Sequence, residues 1–342
     1  MKAFIPMVAL ALLVAACQSG PTTEPQKKGS SGKTLELLVA ADRNIYPGEV
    51  EELIDSLFGR PQEALSSMES MFDVVDIPMS SYENTEMFRN HRNILLIDIK
   101  PDNPDKVYLH IDEFAAPQVV VDVAATSRDK VRELLLRNEK KIFEEYYKAE
   151  HRRIIKAFRG MQNYELNQKI RDKFGFGLMF ANEFSLAKTD DDFAWVRKEA
   201  KDFGLGVLVD VMPYKSQADF DEQNLLDRLD STMKREVPSN ARDSYMGIER
   251  RRDEAGNYLA PILYKTVEFD NSQYAVELRG SWRSFGDFMG GPFVSYAVLS
   301  PDGRKIIILT GYVYCPRNKP WTKRDLLMQA ESICWSLDFK EE

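Results

Sequence analysis

The chain has 342 residues, with 54 Asp and Glu against 46 Lys and Arg and a formal net charge of −8 at pH 7. That balance excludes a protein that tracks along nucleic acid, which needs a basic footprint, and it excludes adhesion to anionic lipid heads through charge. The length exceeds what one hydrophobic core usually serves, so two domains are expected.

The first element in chain order is a short n-region with one charge, Lys2, followed by an apolar run from Ala3 to Ala16. A span of the hydrocarbon core needs roughly twenty residues, so this run suits the h-region of a signal peptide instead. Leu13-Val14-Ala15-Ala16-Cys17 sets small residues directly before a Cys and resembles a bacterial lipobox. The resemblance implies cleavage after residue 16, acylation of Cys17 and the lipid bilayer as a partner, held stably by two or more acyl chains. Residues 17–33 then follow as the acylated Cys and a tether: QSGPTTEPQKKGSSGK is polar, rich in Gly, Ser and Pro, and without periodicity. With Cys17 acylated, Cys315 and Cys334 remain in a disulfide-permissive compartment, and both a bridge between them and a pair of buried thiols stay open at this point. No later segment approaches eighteen uninterrupted apolar residues.

The N-terminal domain is expected over 34–160. LELLVAA (35–41) reads as a buried strand and PGEVEELIDSLFG (47–59) as a helix, with Pro and acids early and Gly late. FDVVDIPM (72–79) is a strand, SYENTEMFRN (81–90) a short helix and NILLIDI (93–99) a strand. VYLHIDEF (107–114) and PQVVVDVAA (117–125) form a hairpin or meander. The longest helical signal runs from Ser127 to Arg159, where Val131, Leu135, Ile142, Tyr146, Ala149 and Phe158 recur at helical spacing. Such a helix is about 50 Å long and reaches past one sheet toward a neighbouring domain.

The C-terminal domain is expected over 161–342. Strands are predicted at 177–188, 192–199 and 204–214, then a helix carrying Phe220, Leu225, Leu229 and Met233. Five more strands follow at 244–251, 260–269, 273–282, 293–299 and 305–314, the last two joined by SPDGRK, a turn with Pro301 and Gly303 at the positions that demand them. A final helix has an apolar stripe of Leu326, Ala330, Ile333 and Leu337. The fold class is α+β: two α/β sandwich domains with helices packed on largely antiparallel sheets. The element order and the ending ESICWSLDF are similar to photosystem-associated (PsbP-type) and Mog1-type α/β/α sandwich domains, a likeness that bears on fold and not on activity.

The motifs with chemical potential are few. KKGSSGKT (27–34) imitates a phosphate-binding loop but has Lys27 at the first Gly position and precedes the first strand. FGFGL and FGLGV lack the third Gly of a dinucleotide loop. The three histidines, His91, His110 and His151, lie far apart with no i, i+4 pair, so no metal site and no cofactor is assigned; His151, within KAEHRRIIK, is placed on a charged helix surface. TDDDF (189–193) and ERRRDE (249–254) read as solvated turns. Arg89, His91 and Arg92 stand immediately before a buried strand, where two guanidiniums and an imidazole can hold a phosphate or carboxylate; ion pairs to nearby acidic helices are the competing reading.

RGSWRSFGDFMGGPFVSY (279–296) offers Arg279, Arg283 and Asp287 around a glycine-rich corner. It is read as a strand-to-strand connection, with Trp282 ending one strand, Phe293 opening the next, and Met289 and the two phenylalanines of GDFMGGPF plugging the core. GDFMGGPF (286–293), HRNILLIDI (91–99) and the lipobox together resemble, over nearly the whole chain, a family of Bacteroidota lipoproteins carrying a domain of unknown function. The resemblance implies an envelope lipoprotein and no reaction. Surface-displayed lipoproteins of that phylum resemble one another in an acidic cluster after the acylated Cys, whereas the first acid here is Glu24, so the resemblance favours the periplasm-facing side of the outer membrane. The expectation is a non-enzymatic binding or envelope-accessory lipoprotein with an envelope protein as partner. The alternative is an envelope hydrolase or transferase built from Arg89, His91 and Arg92 or from Arg279, Arg283 and Asp287.

Overall fold

The computed structural model describes residues 27–65, 67–239, 241–269, 274–316 and 322–339. The signal peptide, Cys17 and the first part of the tether lie outside the described residues. The tether ends sooner than expected, because the chain is already docked at Lys28. The Ala116 N–H donates to the Lys28 carbonyl (2.8 Å), and Ser31 exchanges backbone bonds with Asn90 and Arg92 (2.9 and 3.0 Å).

The N-terminal sheet holds β1 (Glu36–Ala41), β2 (Asp73–Pro78), β3 (Asn93–Ile99), β4 (Lys106–Ile111) and β5 (Val119–Ala125), in the order β2-β1-β3-β5-β4. The pairs β1–β2, β1–β3 and β3–β5 are parallel, and β4–β5 is the expected antiparallel hairpin. Near-continuous apolar runs such as VVVDVAA suit strands covered on both faces. One face is packed by α1 (Glu49–Leu57) and by α4 (Arg128–Gly160), whose Val131, Leu135, Ile142 and Tyr146 are buried there. The short helices α2 (Met79–Asn84) and α3 (Glu86–Arg89) lie on the other side. Ser127 caps α4 by accepting from the Lys130 N–H.

The helix α5 (Tyr164–Phe174) is absent from the expected elements. Its apolar stripe is only Leu166 and Ile170, too thin to stand out, and its ends are set by Asn163, which accepts from the Leu166 N–H, and by Gly175. The expected strand at 177–188 shrinks to β6 (Ser185–Asp190). The residues before it run as irregular chain and bury Phe176, Phe180 and Phe184 in the core.

Seven further strands complete the second sheet: β7 (Phe193–Glu199), β8 (Gly204–Pro213), β9 (Tyr245–Ile248), β10 (Leu263–Val267), β11 (Ala275–Phe285), β12 (Gly290–Leu299) and β13 (Lys305–Tyr314). The order is β10-β11-β12-β13-β8-β7-β6, with β9 also on β11, and every pairing is antiparallel. One face carries α6 (Glu222–Glu236), which buries Leu225, Leu226, Leu229 and Met233. The other carries α5 and α7 (Lys323–Trp335). The result is an α+β, two-domain fold. Alternate residues of each strand feed opposite cores: Val276, Leu278 and Trp282 face α6, while Val294, Tyr296 and Val298 face α7. α7 wedges between the domains. Its Leu326, Ala330, Ile333 and Cys334 belong to the C-terminal core, and its Met328 to the N-terminal one.

The glycine-rich corner is a tighter hairpin than expected. β11 continues past Trp282 to Phe285 and β12 begins at Gly290, leaving the four residues 286–289 to turn, with Gly286 at φ 86°. Phe293 is buried and Met289 packs on the α6-side core, but Phe288 is wholly exposed at the tip and plugs nothing. Cys315 and Cys334 are buried thiols, not a disulfide: Cys315 follows β13 and Cys334 faces the core from α7. Burial, and then the nearby Glu331, push the Cys334 thiol far above its ordinary range, so it stays protonated and unreactive.

Candidate functional site

A cleft of about 820 Å³ opens between the two domains, within the size range of small-ligand sites. α4 contributes Phe143, Tyr147 and His151, which at i, i+4 and i+8 share one helix face. α7 contributes Glu331 and Trp335, again one turn apart. β10 and β11 contribute Lys265, Glu277 and Arg279, and the loop after α1 contributes Arg60 and Gln62.

The floor is a buried ionic network. Arg279 Nε donates to Glu277 Oε1 at 2.7 Å, and its guanidinium also bonds Glu331 Oε1 on α7. Lys265 Nζ lies 3.1 Å from Glu277 Oε1. The Tyr296 hydroxyl stands 3.0 Å from Glu277 Oε2 and 2.5 Å from Glu331 Oε1, so its one proton serves either carboxylate. Burial alone would raise the Glu277 carboxyl, but Arg279 and then Lys265 outweigh it and hold the group at about 2. Burial likewise opposes the charge on Arg279, yet the carboxylates of Glu277 and Glu331 dominate and raise its pKa well above the ordinary value. The Tyr296 and Tyr147 hydroxyls are pushed up, first by burial and then by these carboxylates, and stay protonated.

His151 is buried, which corrects its placement on a charged surface. Its ring stacks on Trp335 (5.1 Å between centroids) and meets the edge of Tyr147 (5.3 Å). Burial lowers its pKa, against the opposing pull of Glu331, so the imidazole is neutral at pH 7. The Ser332 hydroxyl spends its proton on the Met328 carbonyl (2.7 Å) and therefore accepts from His151 Nδ1–H (3.0 Å). That fixes the tautomer and leaves Nε2 as a lone-pair acceptor, 3.8 Å from another acceptor, Glu331 Oε1. His151 Nε2, Trp335 Nε1 and Gln62 Oε1 are buried polar atoms without a hydrogen-bond partner, and all three residues line this cleft. The residues that line the cleft thus carry two unpaired acceptors and one unpaired donor, each covered in this structure, beside aromatic rings over a charge-balanced floor.

Of the six residues singled out from sequence, only Arg279 reaches this cleft. Arg89 donates to the Glu83 carbonyl at 3.1 Å. His91 is buried between the Asn93 carbonyl (3.1 Å) and Glu36 Oε1 (2.8 Å). Arg92 pairs with Glu150 Oε2 at 2.8 Å, and Glu150 also accepts from Arg153 (2.9 Å) and Asn93 (2.8 Å). These charges staple the start of β3 to the middle of α4. Arg283 lies over the Phe285 ring (5.0 Å) and 3.5 Å from Glu249, and Asp287 accepts from Ser239 Oγ (2.9 Å) and the Phe288 N–H (2.7 Å). Among the described residues no group of three or more His, Cys, Asp or Glu has metal-binding geometry, and no helix is long and apolar enough to cross a membrane.

Tyr147, His151, Glu277, Glu331 and Trp335 were not foreseen as site residues. The Phe143-Tyr147-His151 stripe was the available signal, since its spacing puts three rings on one helix face.

Residues 163–336 match the family model described as a domain of unknown function, DUF4837, and the chain belongs to that family. Residues 30–159 match a second model, also a domain of unknown function, DUF8532. Each match spans one of the two sheets with its helices. No curated protein matches the chain.

Proposed function

We propose that the chain is a membrane-anchored, periplasm-facing lipoprotein of the Bacteroidota type, acylated at Cys17, that serves as a binding or envelope-accessory protein. Its binding site is the cleft between α4, β10–β11 and α7, and its ligand is a small envelope molecule or a short segment of an envelope protein. The C-terminal likeness to PsbP- and Mog1-type sandwiches is part of the same proposal. One observation carries the reading: the cleft is floored by guanidinium and carboxylates that already satisfy one another, while aromatic rings and residues with unpaired buried polar atoms line it, atoms that a side-chain shift would turn to a ligand. A hydrolase or transferase site needs a nucleophile within reach of a base. Arg89, His91 and Arg92 are committed to backbone and carboxylate partners, and Arg283 and Asp287 sit apart from Arg279.

The test is photocrosslinking in intact envelopes, with a photoreactive residue at Lys140 on the cleft rim and, as reference, at Asp243 far along the chain. A reproducible adduct from position 140 and not from 243 is the expected result. No adduct from 140 would overturn the binding reading. In the same cells Cys17→Ala is expected to move the protein from the membrane to the soluble fraction, and a Cys17→Ala chain that still fractionates with membranes would sink the anchor.

A further inference from the structure

The docked start of the chain is ringed by exposed apolar side chains. Met87, Ile111 and Phe114 are 61 %, 41 % and 39 % exposed. Each lies at, or within two residues of, a contact that holds residues 27–31 on the fold. The Met87 carbonyl accepts from Ser31 Oγ at 3.3 Å. Ile111 adjoins Asp112, whose carbonyl takes the Lys27 ammonium. Phe114 is two residues from Ala116, whose N–H donates to Lys28. These positions come from α3, the end of β4 and the loop before β5, so three separate segments converge on the place where the chain leaves the fold.

Nine residues lie between Cys17 and Lys27, ten Cα steps that reach at most about 35 Å even when fully extended. An acyl group on Cys17 therefore keeps this end of the N-terminal domain near the bilayer, whereas the hairpin tip at Phe288 belongs to the other domain and is not tied to it by the tether. Charge here is mixed: Lys28 pairs with Glu86 (2.7 Å) and Arg152 lies 4.0 Å from Asp112, while Lys27 and Lys156 donate to the Asp112 and Ala116 carbonyls. Whatever these cations add at low salt, the apolar side chains among them gain by entering the boundary between headgroups and acyl chains, a contribution that salt does not screen.

We infer that Met87, Ile111 and Phe114 form a membrane-contact rim that rests on the lipid surface. The rim fixes the orientation of the anchored protein and turns the N-terminal domain toward the bilayer. This rests on the acylation of Cys17 proposed above. The experiment uses the full acylated chain in vesicles of phosphatidylethanolamine and phosphatidylglycerol. An environment-sensitive dye is placed on Met87→Cys, Phe114→Cys or Phe288→Cys; the buried Cys315 and Cys334 stay unlabelled. A quencher carried at headgroup depth is expected to remove most emission at 87 and 114 and to leave 288 unchanged, at low and high salt alike. Bound protein with no quenching at 87 and 114, equal quenching at all three positions, or quenching abolished by salt would overturn the rim and leave the anchor standing. An acylated chain that does not bind the vesicles would overturn the anchor and the rim together.

Discussion

Arg279→Met is expected to destabilise the protein by about 3–5 kcal/mol, the cost of removing one partner from a buried ion pair. Glu331 is 1 % exposed and Glu277 4 %, and Arg279 is the cation that both share. Without it, Lys265 alone faces Glu277, from a half-exposed position, and Glu331 keeps only hydroxyl donors from Tyr296 and Tyr147. The loss also reaches beyond one domain, because Glu331 belongs to the helix that packs on both cores. The pH dependence gives the argument a sign. In the native protein the Glu277 carboxyl is held at about 2, below its unfolded value of about 4.3. The network's contribution is therefore present above pH ~4.3 and lost as the pH falls toward 2. In the variant the larger cause of the depression is gone and only the half-exposed Lys265 stands against burial, so at least one carboxyl of the pair is expected to titrate above its unfolded value. Its penalty is largest at neutral pH and narrows as the pH drops and the proton returns. Denaturant midpoints at pH 7.5 and pH 5 check both statements. A deficit under about 1 kcal/mol, or one that does not shrink at pH 5, would show that the network is not held by Arg279.

The same network shows why the site was less legible than the fold. Strands declared themselves through local pattern: VVVDVAA and KIIILTGYVY are buried runs, and SPDGRK fixes its hairpin with Gly303 at φ 68°. Those signals need only neighbours in the chain. The cleft needs partners 52 residues apart, as for Arg279 and Glu331, or 181 apart, as for His151 and Ser332. Nothing near Arg279 in sequence says that its carboxylate partner lies on the last helix. His151 was misplaced for the converse reason, since the charged neighbours in KAEHRRIIK mark a solvated stretch while the i, i+4, i+8 face buries. Arg92 shows the same effect from the other side. Its position before a buried strand suggested a binding loop, but α4 brings Glu150 within 2.8 Å and spends the charge on packing. Phe288 failed differently: an aromatic residue in an apolar run reads as core until the strands prove long enough to leave it at the tip.

Gly291→Ala is expected to cost about 3 kcal/mol or more, at the upper end of what an added methyl costs in a packed interior. The position is ordinary strand backbone, so the reason is space and not conformation. A Cβ there would lie 2.0 Å from the Val313 carbonyl oxygen, and backbone cannot rotate aside. Gly291 faces Trp282 across the β11–β12 pair, and the Trp282 indole N–H donates to that same Val313 carbonyl at 3.1 Å. The bare Cα lets the carbonyl of the third strand come in over the pair and satisfy the buried indole. An added methyl therefore forces β13 outward and strands the indole donor as well, adding the loss of a buried hydrogen bond to the clash. Gly290→Ala is the fitting comparison, because its Cβ would stand 3.0 Å from the Trp282 carbonyl and asks for a far smaller shift. Denaturant unfolding should rank Gly291→Ala well below Gly290→Ala, with tryptophan emission of the folded Gly291→Ala variant shifted as Trp282 loses its acceptor. Equal stability of the two variants would refute this account of the glycine pair. The motif that looked like a ligand-gripping loop is then held by a steric demand: three strands converge where a carbonyl, an indole and a missing side chain must share one place.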